Sequence, residues 1–297
     1  MNSQNDDVIY GKKSIYTIFK NDRLGKGGVG SVYRGKDLDG NEVAIKIISI
    51  ETKSQKKQLL IEGKNLRKLR KNCELNVVCI KEIIRANSTG YIVTNIIKGV
   101  NLLEIKIQNL EHLISVFKYI VSVLKYIHLN DIMHLDLKPD NIMYSGDEKN
   151  FNIKFIDFGL SCNLYNGECD NIIGQIGGRN YRDPEMFRKS IEYTKNDEKI
   201  NIDEKIDVYA IGVILYEMFM FFITNNKFQY VNISSDVPNM NDFCIVKTAY
   251  QNALSFNISF YNNEKFVKIN NILLGCMTLL RKDRYNSEEL YEKINQI

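Results

Sequence analysis

Four polar residues near the middle of the chain have the types and spacing that a phosphoryl-transfer site needs. Asp136, Lys138 and Asn141 lie within one short run, and Asp157 follows further along the chain. A carboxylate can accept the proton of an attacking hydroxyl, and a nearby lysine can offset the charge on a moving phosphoryl group. Carboxylate and amide oxygens are the ligands that Mg²⁺ prefers. The cluster therefore indicates transfer of a phosphoryl group from a magnesium nucleotide.

A glycine-rich turn and a single lysine precede this cluster. The run Leu24–Val32 is rich in glycines, which let a backbone approach phosphates closely and direct its amides at them. A G-x-G-x-x-G string is weak by itself, because dinucleotide-binding folds carry it before a helix and a plain glycine hairpin also fits it. Here the β-favouring residues Val32 and Tyr33 follow, which favours a hairpin. Lys46 ends the apolar run Val43–Ile45, where its charge in a cleft would require a partner.

Together these runs resemble a eukaryotic-type protein kinase of the serine/threonine type. The matching runs, in the family's order, are Leu24–Val32, Val43–Lys46, His134–Asn141, Asp157–Gly159, Asp183–Glu185 and Asp207–Gly212, and the likeness extends to Arg284. The string Asp-Leu-Lys-Pro-x-Asn resembles serine/threonine kinases, since tyrosine kinases normally carry an Arg/Ala variant of it. The resemblance covers nearly the whole chain.

The resemblance implies a role for each matching residue, with ATP and Mg²⁺ (or Mn²⁺) as cofactors. The catalytic residues would be Asp136 as base, Lys138, Lys46 and its partner Glu62, and the metal ligands would be Asn141 and Asp157. Glu62 is preferred to Glu51 as the partner of Lys46, because Leu66 follows one helical turn later, where the family has a core residue. The nucleotide would contact Leu24, Gly25, Lys26, Gly27, Gly28, Val29, Gly30, Ser31, Val32, Ala44, Lys46, Thr94, Asn95, Ile97 and Met143.

Other matches imply structural roles. His134 would pack under Phe158, and Asp207 would brace the catalytic loop. Arg284 matches the usual salt-bridge partner of the motif Asp183–Glu185. His128 and His112 are interpreted as packing or surface residues, since none of the histidines has metal-ligand spacing with another His or Cys.

The elements that must position these residues divide the chain into two parts. Short β-favouring runs fill 16–94, with the turn signal Asp39-Gly40-Asn41 between two of them and one helical pattern from Lys56 to Leu69. Helical patterns dominate afterwards, at His112–His128, Ile206–Phe222, Ile269–Leu280 and Glu288–Ile294. The prediction is an α+β, two-lobed protein-kinase fold with a small β-rich N-terminal lobe and a larger, mainly α-helical C-terminal lobe. We expect a polar tail at 1–15 and a kinase domain at 16–297, divided into N-lobe 16–94, hinge 95–98 and C-lobe 99–297. Residues 189–205 are predicted to be a surface loop, and 225–263 to be irregular.

The chain also departs from the family pattern at positions linked to regulation. Leu135 replaces the arginine of His-Arg-Asp, Gly178 replaces a threonine, and Asp183 replaces an alanine. Between Gly159 and Asp183, Ser161 is the only Ser or Thr, although tyrosines are present. We therefore expect no dependence on phosphorylation of this activation segment, which its own packing or a regulatory partner protein would order. For the same reason Leu135→Arg is expected to change little.

Composition limits the partners. A net charge of +4 over 297 residues, without a long basic block, gives no support for nucleic-acid binding. The apolar run at 208–223 is interrupted by Glu217 and is short for a membrane span, so a buried helix is predicted and no membrane insertion.

The six cysteines lack a Cys-x-x-Cys pair and are interpreted as reduced thiols in the cytosol. The few prolines and abundant Asn, Ile and Lys are typical of an AT-rich genome, such as that of a giant virus or a protist.

Two other functions fit the same residues. The departures at Gly178 and Asp183 are compatible with a pseudokinase that binds nucleotide as a scaffold, although the complete catalytic set opposes it. A small-molecule kinase shares the fold, because fold alone does not fix the substrate. A protein substrate is preferred on the strings Asp-Leu-Lys-Pro and Asp183–Glu185. Oligomeric state is not predicted.

Overall fold

The N-terminal part of the chain forms one antiparallel sheet. The computed structural model describes residues 6–27, 30–165, 169, 181–186, 202–223, 263–278 and 280–297. The sheet has six strands in the order β1-β2-β3-β4-β6-β5. The strands are β1 Asp6–Tyr10, β2 Ile15–Gly27, β3 Gly30–Asp37, β4 Glu42–Ser49, β5 Ile80–Ala86 and β6 Thr89–Asn95. Buried Ile18, Val43 and Ile45 belong to the apolar cluster of this sheet.

The sheet begins earlier than the sequence predicted. Asp6–Tyr10 lies within the expected polar tail, yet it pairs with β2 from Asp6 opposite Phe19 to Tyr10 opposite Ile15. The tail prediction is wrong for this strand, whose Ile9 is buried. The prediction failed because the acidic residues at the start of the strand are typical of a polar tail, and only one side chain of the strand is buried.

The predicted turn between β3 and β4 is present. Gly40 has a φ of +83°, which a glycine adopts without steric cost. The amide of Asn41 donates to the side chain of Asp37 at 2.8 Å, and the amide of Gly40 donates to the carbonyl of Asp37 at 3.0 Å. This tight turn fixes the register in which Val32 of β3 lies opposite Lys46 of β4.

Helix α1, Lys53–Lys68, crosses the N-terminal lobe and carries Glu62. Its first turn is closed by a capping box, in which Thr52 and Gln55 bond each other's backbone amides. Leu59 and Leu66 are buried as the helical pattern predicted, whereas Leu60 is exposed. The buried stripe sets the rotation of the helix and so directs Glu62 inward.

The remaining described chain is mainly helical. The helices are α2 Cys73–Asn76, α3 Leu110–Leu129, α4 Lys205–Ile223, α5 Glu264–Cys276 and α6 Ser287–Asn295. Short strands lie near the predicted catalytic residues: β7 Val100–Asn101, β8 Ile132–Met133, β9 Ile142–Gly146, β10 Phe151–Phe155 and β11 Cys162–Asn163. The two-lobed α+β fold predicted from the sequence is confirmed. The predicted helix at Ile269–Leu280 lies about one turn earlier in the chain, because Asn263 caps its start and its last residue is Cys276.

Helices α3 and α4 form the centre of the C-terminal lobe. Both are long and apolar enough to cross a membrane by length and composition, but most of each is buried inside the protein. Burial on nearly every face explains the almost continuous apolar sequence of α4, since a helix hydrophobic all round is typical of a protein interior. The predicted buried core helix at this position is therefore confirmed.

Several predictions fall on residues that the structure does not describe. They concern Gly28, Val29, Gly178 and Cys244, the predicted loop at 189–205 except its last four residues, and the region 225–263 except Asn263.

Candidate active site

An ion cluster joins the two lobes at the predicted site. Lys46 Nζ lies 2.8 and 3.0 Å from the two carboxylate oxygens of Glu62, and 2.7 Å from Asp157 Oδ1. The alternative partner, Glu51, is exposed. Lys46 comes from β4 and Glu62 from α1, whereas Asp157 follows β10 of the other lobe. One lysine therefore fixes three separate elements relative to each other.

Burial and charge oppose each other in this cluster. Burial alone would lower the pKa of Lys46, but the carboxylates of Glu62 and Asp157 raise it above its ordinary value, so the lysine is charged. Burial would raise the pKa of Asp157, yet Lys46 holds it below its ordinary value. Burial raises the pKa of Glu62 against the opposing effect of Lys46. The stability of the cluster thus depends on all three charges being present.

The catalytic loop brings Asp136, Lys138 and Asn141 together. Lys138 Nζ lies 3.0 Å from Asp136 Oδ2. Asn141 Nδ2 donates to the carbonyl of Asp136 at 2.7 Å and to its Oδ2 at 3.1 Å. These bonds orient the carboxylate of Asp136 and hold a cation beside it. The loop can therefore present one base and one positive charge to the same reacting group.

Asp207 on α4 holds the backbone of this loop. Its carboxylate accepts hydrogen bonds from the backbone amides of His134 at 2.7 Å and Leu135 at 2.8 Å, and it lies 3.1 Å from His128 Nε2. Glu204 lies 3.1 Å from His128 Nδ1. The bracing role that the resemblance implied for Asp207 is therefore present, and His128 is a buried structural residue.

The turn that carries Asp157 is adjacent to the loop. The amide of Ile156 donates to the carbonyl of Asn141 at 2.9 Å, so the two implied metal ligands are neighbours. His134 packs on Phe158 with ring centroids 4.7 Å apart, as the resemblance implied. Asp157 itself has a φ of +59°, the left-handed region that costs a non-glycine residue energy. Its carboxylate is thereby directed toward Lys46.

The oxygens around this turn suit a magnesium ion. Lys46 and the amide of Gly159 both bond Asp157 Oδ1, whereas Oδ2 faces Gly27, where an added Cβ would lie 3.4 Å from it. Asn141 uses its amide nitrogen for Asp136, so its carbonyl oxygen is the remaining ligand atom. One carboxylate oxygen and one amide oxygen fit the donor set that Mg²⁺ prefers. Asn141 and Asp157 would therefore hold the ion.

Many of the residues predicted to contact the nucleotide lie opposite one another in the N-terminal sheet. In the glycine-rich hairpin Gly25 lies opposite Val32, Lys26 opposite Ser31 and Gly27 opposite Gly30. Ala44 pairs with Thr94, and Asn95 ends β6 beside the hinge. Leu24 lies on β2, Met143 on β9, and Ile97 is partly buried after β6. The structure thus places the predicted residues on neighbouring strands of the N-terminal sheet, after β6 and on β9, apart from Gly28 and Val29, which lie outside the described residues.

Leu135 has a different role from the arginine that the family has there. Leu135 is buried in an apolar cluster with Met133, Cys162, Cys169, Met186 and Ile206. An arginine at this position would bring its charge among these apolar side chains. We therefore expect Leu135→Arg to destabilise the protein, which differs from the small effect expected from the sequence.

Four of the cysteines are paired, contrary to the prediction of reduced thiols. Disulfides join Cys73 to Cys79 and Cys162 to Cys169, whereas Cys276 is free and buried. Cys162 and Cys169 also belong to the cluster around Leu135. Spacing without a Cys-x-x-Cys pair did not signal these bonds, because the fold brings the partners together. Because these four cysteines form disulfides, the cysteines give no support for the expected location in a reducing compartment.

Asp183 takes part in a buried ion cluster. Its carboxylate accepts from Arg284 Nη1, and from Arg281 Nε and Nη2 at 3.2 Å each. Glu185 instead accepts the backbone amide of Arg281 at 2.7 Å. The resemblance placed Arg284 correctly against this motif, but sequence reasoning missed Arg281. The signal was available, since a buried aspartate in place of alanine requires a cation.

Comparison with known proteins agrees with this geometry. A family model described as a protein kinase domain matches residues 18–293. Calcium-dependent protein kinase 4 of Plasmodium berghei is 31% identical over 222 residues, which are 72% of this chain and 38% of that protein. Serine/threonine-protein kinase ICK of Rattus norvegicus is 31% identical over 212 residues, which are 69% of this chain and 30% of that protein. A probable serine/threonine-protein kinase, PknB, of Lactococcus lactis is 27% identical over 209 residues, 68% of this chain and 31% of that protein. The match thus spans less than two fifths of the length of each relative.

Proposed function

The chain belongs to the protein kinase family, and we propose that it transfers the γ-phosphoryl group of Mg-ATP to serine or threonine hydroxyls of protein substrates. The observation that carries the proposal is the assembled arrangement of Lys46, Glu62 and Asp157 beside the Asp136 loop. Catalysis in such a site is mostly positioning and electrostatic stabilisation. Each of these side chains is already held at hydrogen-bond distance from its neighbour.

The reaction assigns one task to each residue. Asp136 accepts the proton of the substrate hydroxyl as its oxygen bonds to the γ-phosphorus and the bond to the β-phosphate oxygen breaks. Lys138, 3.0 Å from Asp136, offsets the negative charge on the transferring group. Lys46, held by Glu62, binds the phosphates that remain. Mg²⁺, held by Asn141 and Asp157, would neutralise charge on the phosphates when bound.

The scaffold alternative loses one of its two supports. It rested partly on Asp183 in place of alanine, but Asp183 forms buried ion pairs with Arg284 and Arg281. Asp183 therefore stabilises the fold and does not oppose catalysis. Gly178, the other support, lies outside the described residues.

In this proposal the described beginning of the activation segment, 160–165, is held by packing. The apolar side chains around Leu135 stand where the family pairs an arginine with a phosphate. Ser161 is buried and its hydroxyl donates to the carbonyl of Phe158 at 2.6 Å, so it is not accessible to a kinase.

Acceptor analysis tests the residue class and the substrate class together. The protein is incubated with labelled ATP and Mg²⁺ in a cell lysate, and labelled products are identified by mass spectrometry against an Asp136→Asn control. We expect phosphoserine and phosphothreonine in proteins. Labelled tyrosine alone would refute the residue class, and label in small molecules alone would favour the small-molecule kinase.

A further inference from the structure

One face of α1 carries polar side chains that reach the turn after Asp157. Gln58, Glu62 and Asn65 are spaced four and three residues apart, so they lie on the same face of the helix. Gln58 Nε2 donates to the carbonyl of Gly159 at 2.7 Å, and Asn65 Nδ2 donates to Ser161 Oγ at 3.0 Å. Glu62 reaches Asp157 through Lys46. The helix therefore contacts the turn at three successive places.

The Asn65 contact is buried on both sides. Asn65 and Ser161 are each 1% exposed. The Ser161 hydroxyl accepts from Asn65 and donates to the carbonyl of Phe158, which closes the short helical turn Phe158–Leu160. If α1 moved outward, the amide of Asn65 would lose its partner away from water, which is unfavourable. The helix and the turn are therefore linked in position.

The turn requires such support. Asp157 holds a left-handed backbone conformation that persists only where its surroundings fix it. On one side the cluster around Leu135 contains Leu160 and Cys162. On the other side the contacts from Gln58 and Asn65 bracket the Lys46–Glu62 pair. The turn is thus held from both sides by uncharged contacts.

We propose that Gln58 and Asn65 are positioning residues that hold the metal-binding Asp157 turn and α1 together in the catalytically competent arrangement. The inference rests on the proposed function, in which Asp157 binds Mg²⁺. The two side chains act on catalysis through Asp157 and touch neither nucleotide nor substrate. They set the active arrangement without any phosphate on the activation segment.

The decisive variant is Gln58→Met with Asn65→Leu, which removes both donors and keeps side-chain size. Ser161 still donates to Phe158, so no hydroxyl hydrogen is left unpaired. Each hydrogen bond is worth about a threefold to tenfold change in the equilibrium between held and released turn. The double variant is needed because losing one contact from a strongly favoured state changes its population little. Lys57→Met, an exposed neighbour on the same helix, is the matched control.

The readouts are kcat, the Mg²⁺ concentration for half-maximal activity, and the thermal stabilisation by ATP with and without Mg²⁺. We expect the double variant to need about tenfold more Mg²⁺ or to lose about tenfold in kcat, with stabilisation by ATP alone unchanged. A merely structural role would lower the melting temperature and leave the Mg²⁺ requirement unchanged. If the wild type is active and the double variant has a kcat and a Mg²⁺ requirement within twofold of the wild type, the inference is overturned. The proposed function would remain intact.

Two further measurements keep the inference testable. If the wild type transfers no phosphate, the proposed function fails, and the extra stabilisation that Mg²⁺ adds to ATP binding becomes the readout. The double variant should then lose that extra stabilisation, and its retention, or its absence from the wild type, would refute the inference. If the double variant does not fold, Gln58→Glu at this half-buried position places a carboxylate against the carbonyl of Gly159. The hydrogen-bond donor is then replaced by a carboxylate that repels the partly negative carbonyl oxygen, so the Mg²⁺ requirement should rise at least tenfold. An unchanged requirement would refute the inference.

Discussion

Asp183→Ala should destabilise the protein, although alanine is the residue that the family pattern has at this position. Asp183 accepts hydrogen bonds from both Arg281 and Arg284. Its side chain is 0% exposed, and those of Arg281 and Arg284 are 5% and 0% exposed. The substitution therefore removes the shared anion from two buried guanidinium groups.

The contacts that remain set the magnitude. Removing one partner from a buried ion pair costs about 3–5 kcal/mol. Arg284 keeps the carbonyls of Thr278 and Lys205, and Arg281 keeps the carboxylates of Asp203 at 3.7 Å and Glu185 at 4.0 Å. These partners favour the lower part of the range, about 3–4 kcal/mol. At about 2–4 °C per kcal/mol for a chain of this size, the melting temperature should fall by roughly 6–16 °C.

Denaturant unfolding and thermal unfolding measure this change. Glu185→Ala is the matched control, because Glu185 is half-buried and its closest contact to the arginine pair is one backbone amide. Its cost should be about 1–2 kcal/mol. Asp183→Asn keeps the acceptor oxygen and should fall between the two alanine variants. If Glu185→Ala proves as destabilising as Asp183→Ala, Asp183 is not the anion on which the arginines depend.

Four further predictions concern other residues of the protein. Lys46→Met should lower phosphate transfer by several orders of magnitude while the fold survives. Adding Glu62→Gln to this variant should recover stability but not activity. A Lys46→Met rate within about threefold of wild type would show that the lysine is misassigned. Phosphatase treatment should leave activity within about tenfold, whereas Leu135→Arg should lower the melting temperature, and a neutral Leu135→Arg would contradict the enclosed apolar site. Burial raises the pKa of Glu217 to about 8 against its hydrogen bond from Tyr181, so the folded protein keeps a proton that the unfolded chain loses above about pH 4.5. The contribution of Glu217 to stability should therefore fall as pH rises from 5 to 8, by at most about 1.4 kcal/mol per pH unit, and the fall should be shallower for Glu217→Gln than for the wild type in pH-dependent unfolding experiments.

The fold and the site motifs could be predicted because each is encoded locally. Lys46, Asp136, Asn141 and Asp157 lie in short runs whose spacing fixes their place on a strand or in a turn. The helical stripe of α3 and the all-apolar α4 identify buried helices by period and composition alone. Such signals survive low overall identity, because they depend on a few positions.

The remaining features have no local signal in the sequence. Arg281 and Asp183 are 98 residues apart, and Cys162 and Cys169, seven residues apart, lack a spacing motif that would mark them as a pair. Gln58 and Asn65 appear on a helical wheel only as polar positions. Leu135 likewise looked like the loss of an arginine, whereas the structure gives it an apolar cluster in place of a phosphate.

Phosphate transfer by the purified protein is the decisive measurement of its catalytic activity. Purified wild type and Asp136→Asn are incubated with labelled ATP, Mg²⁺ and a generic protein acceptor, and label is counted on serine and threonine. We expect transfer by the wild type and a loss of at least about a hundredfold in the variant, since Asp136 accepts the proton and is oriented by Asn141 and Lys138. Equal transfer by both proteins, or none by the wild type, would contradict it.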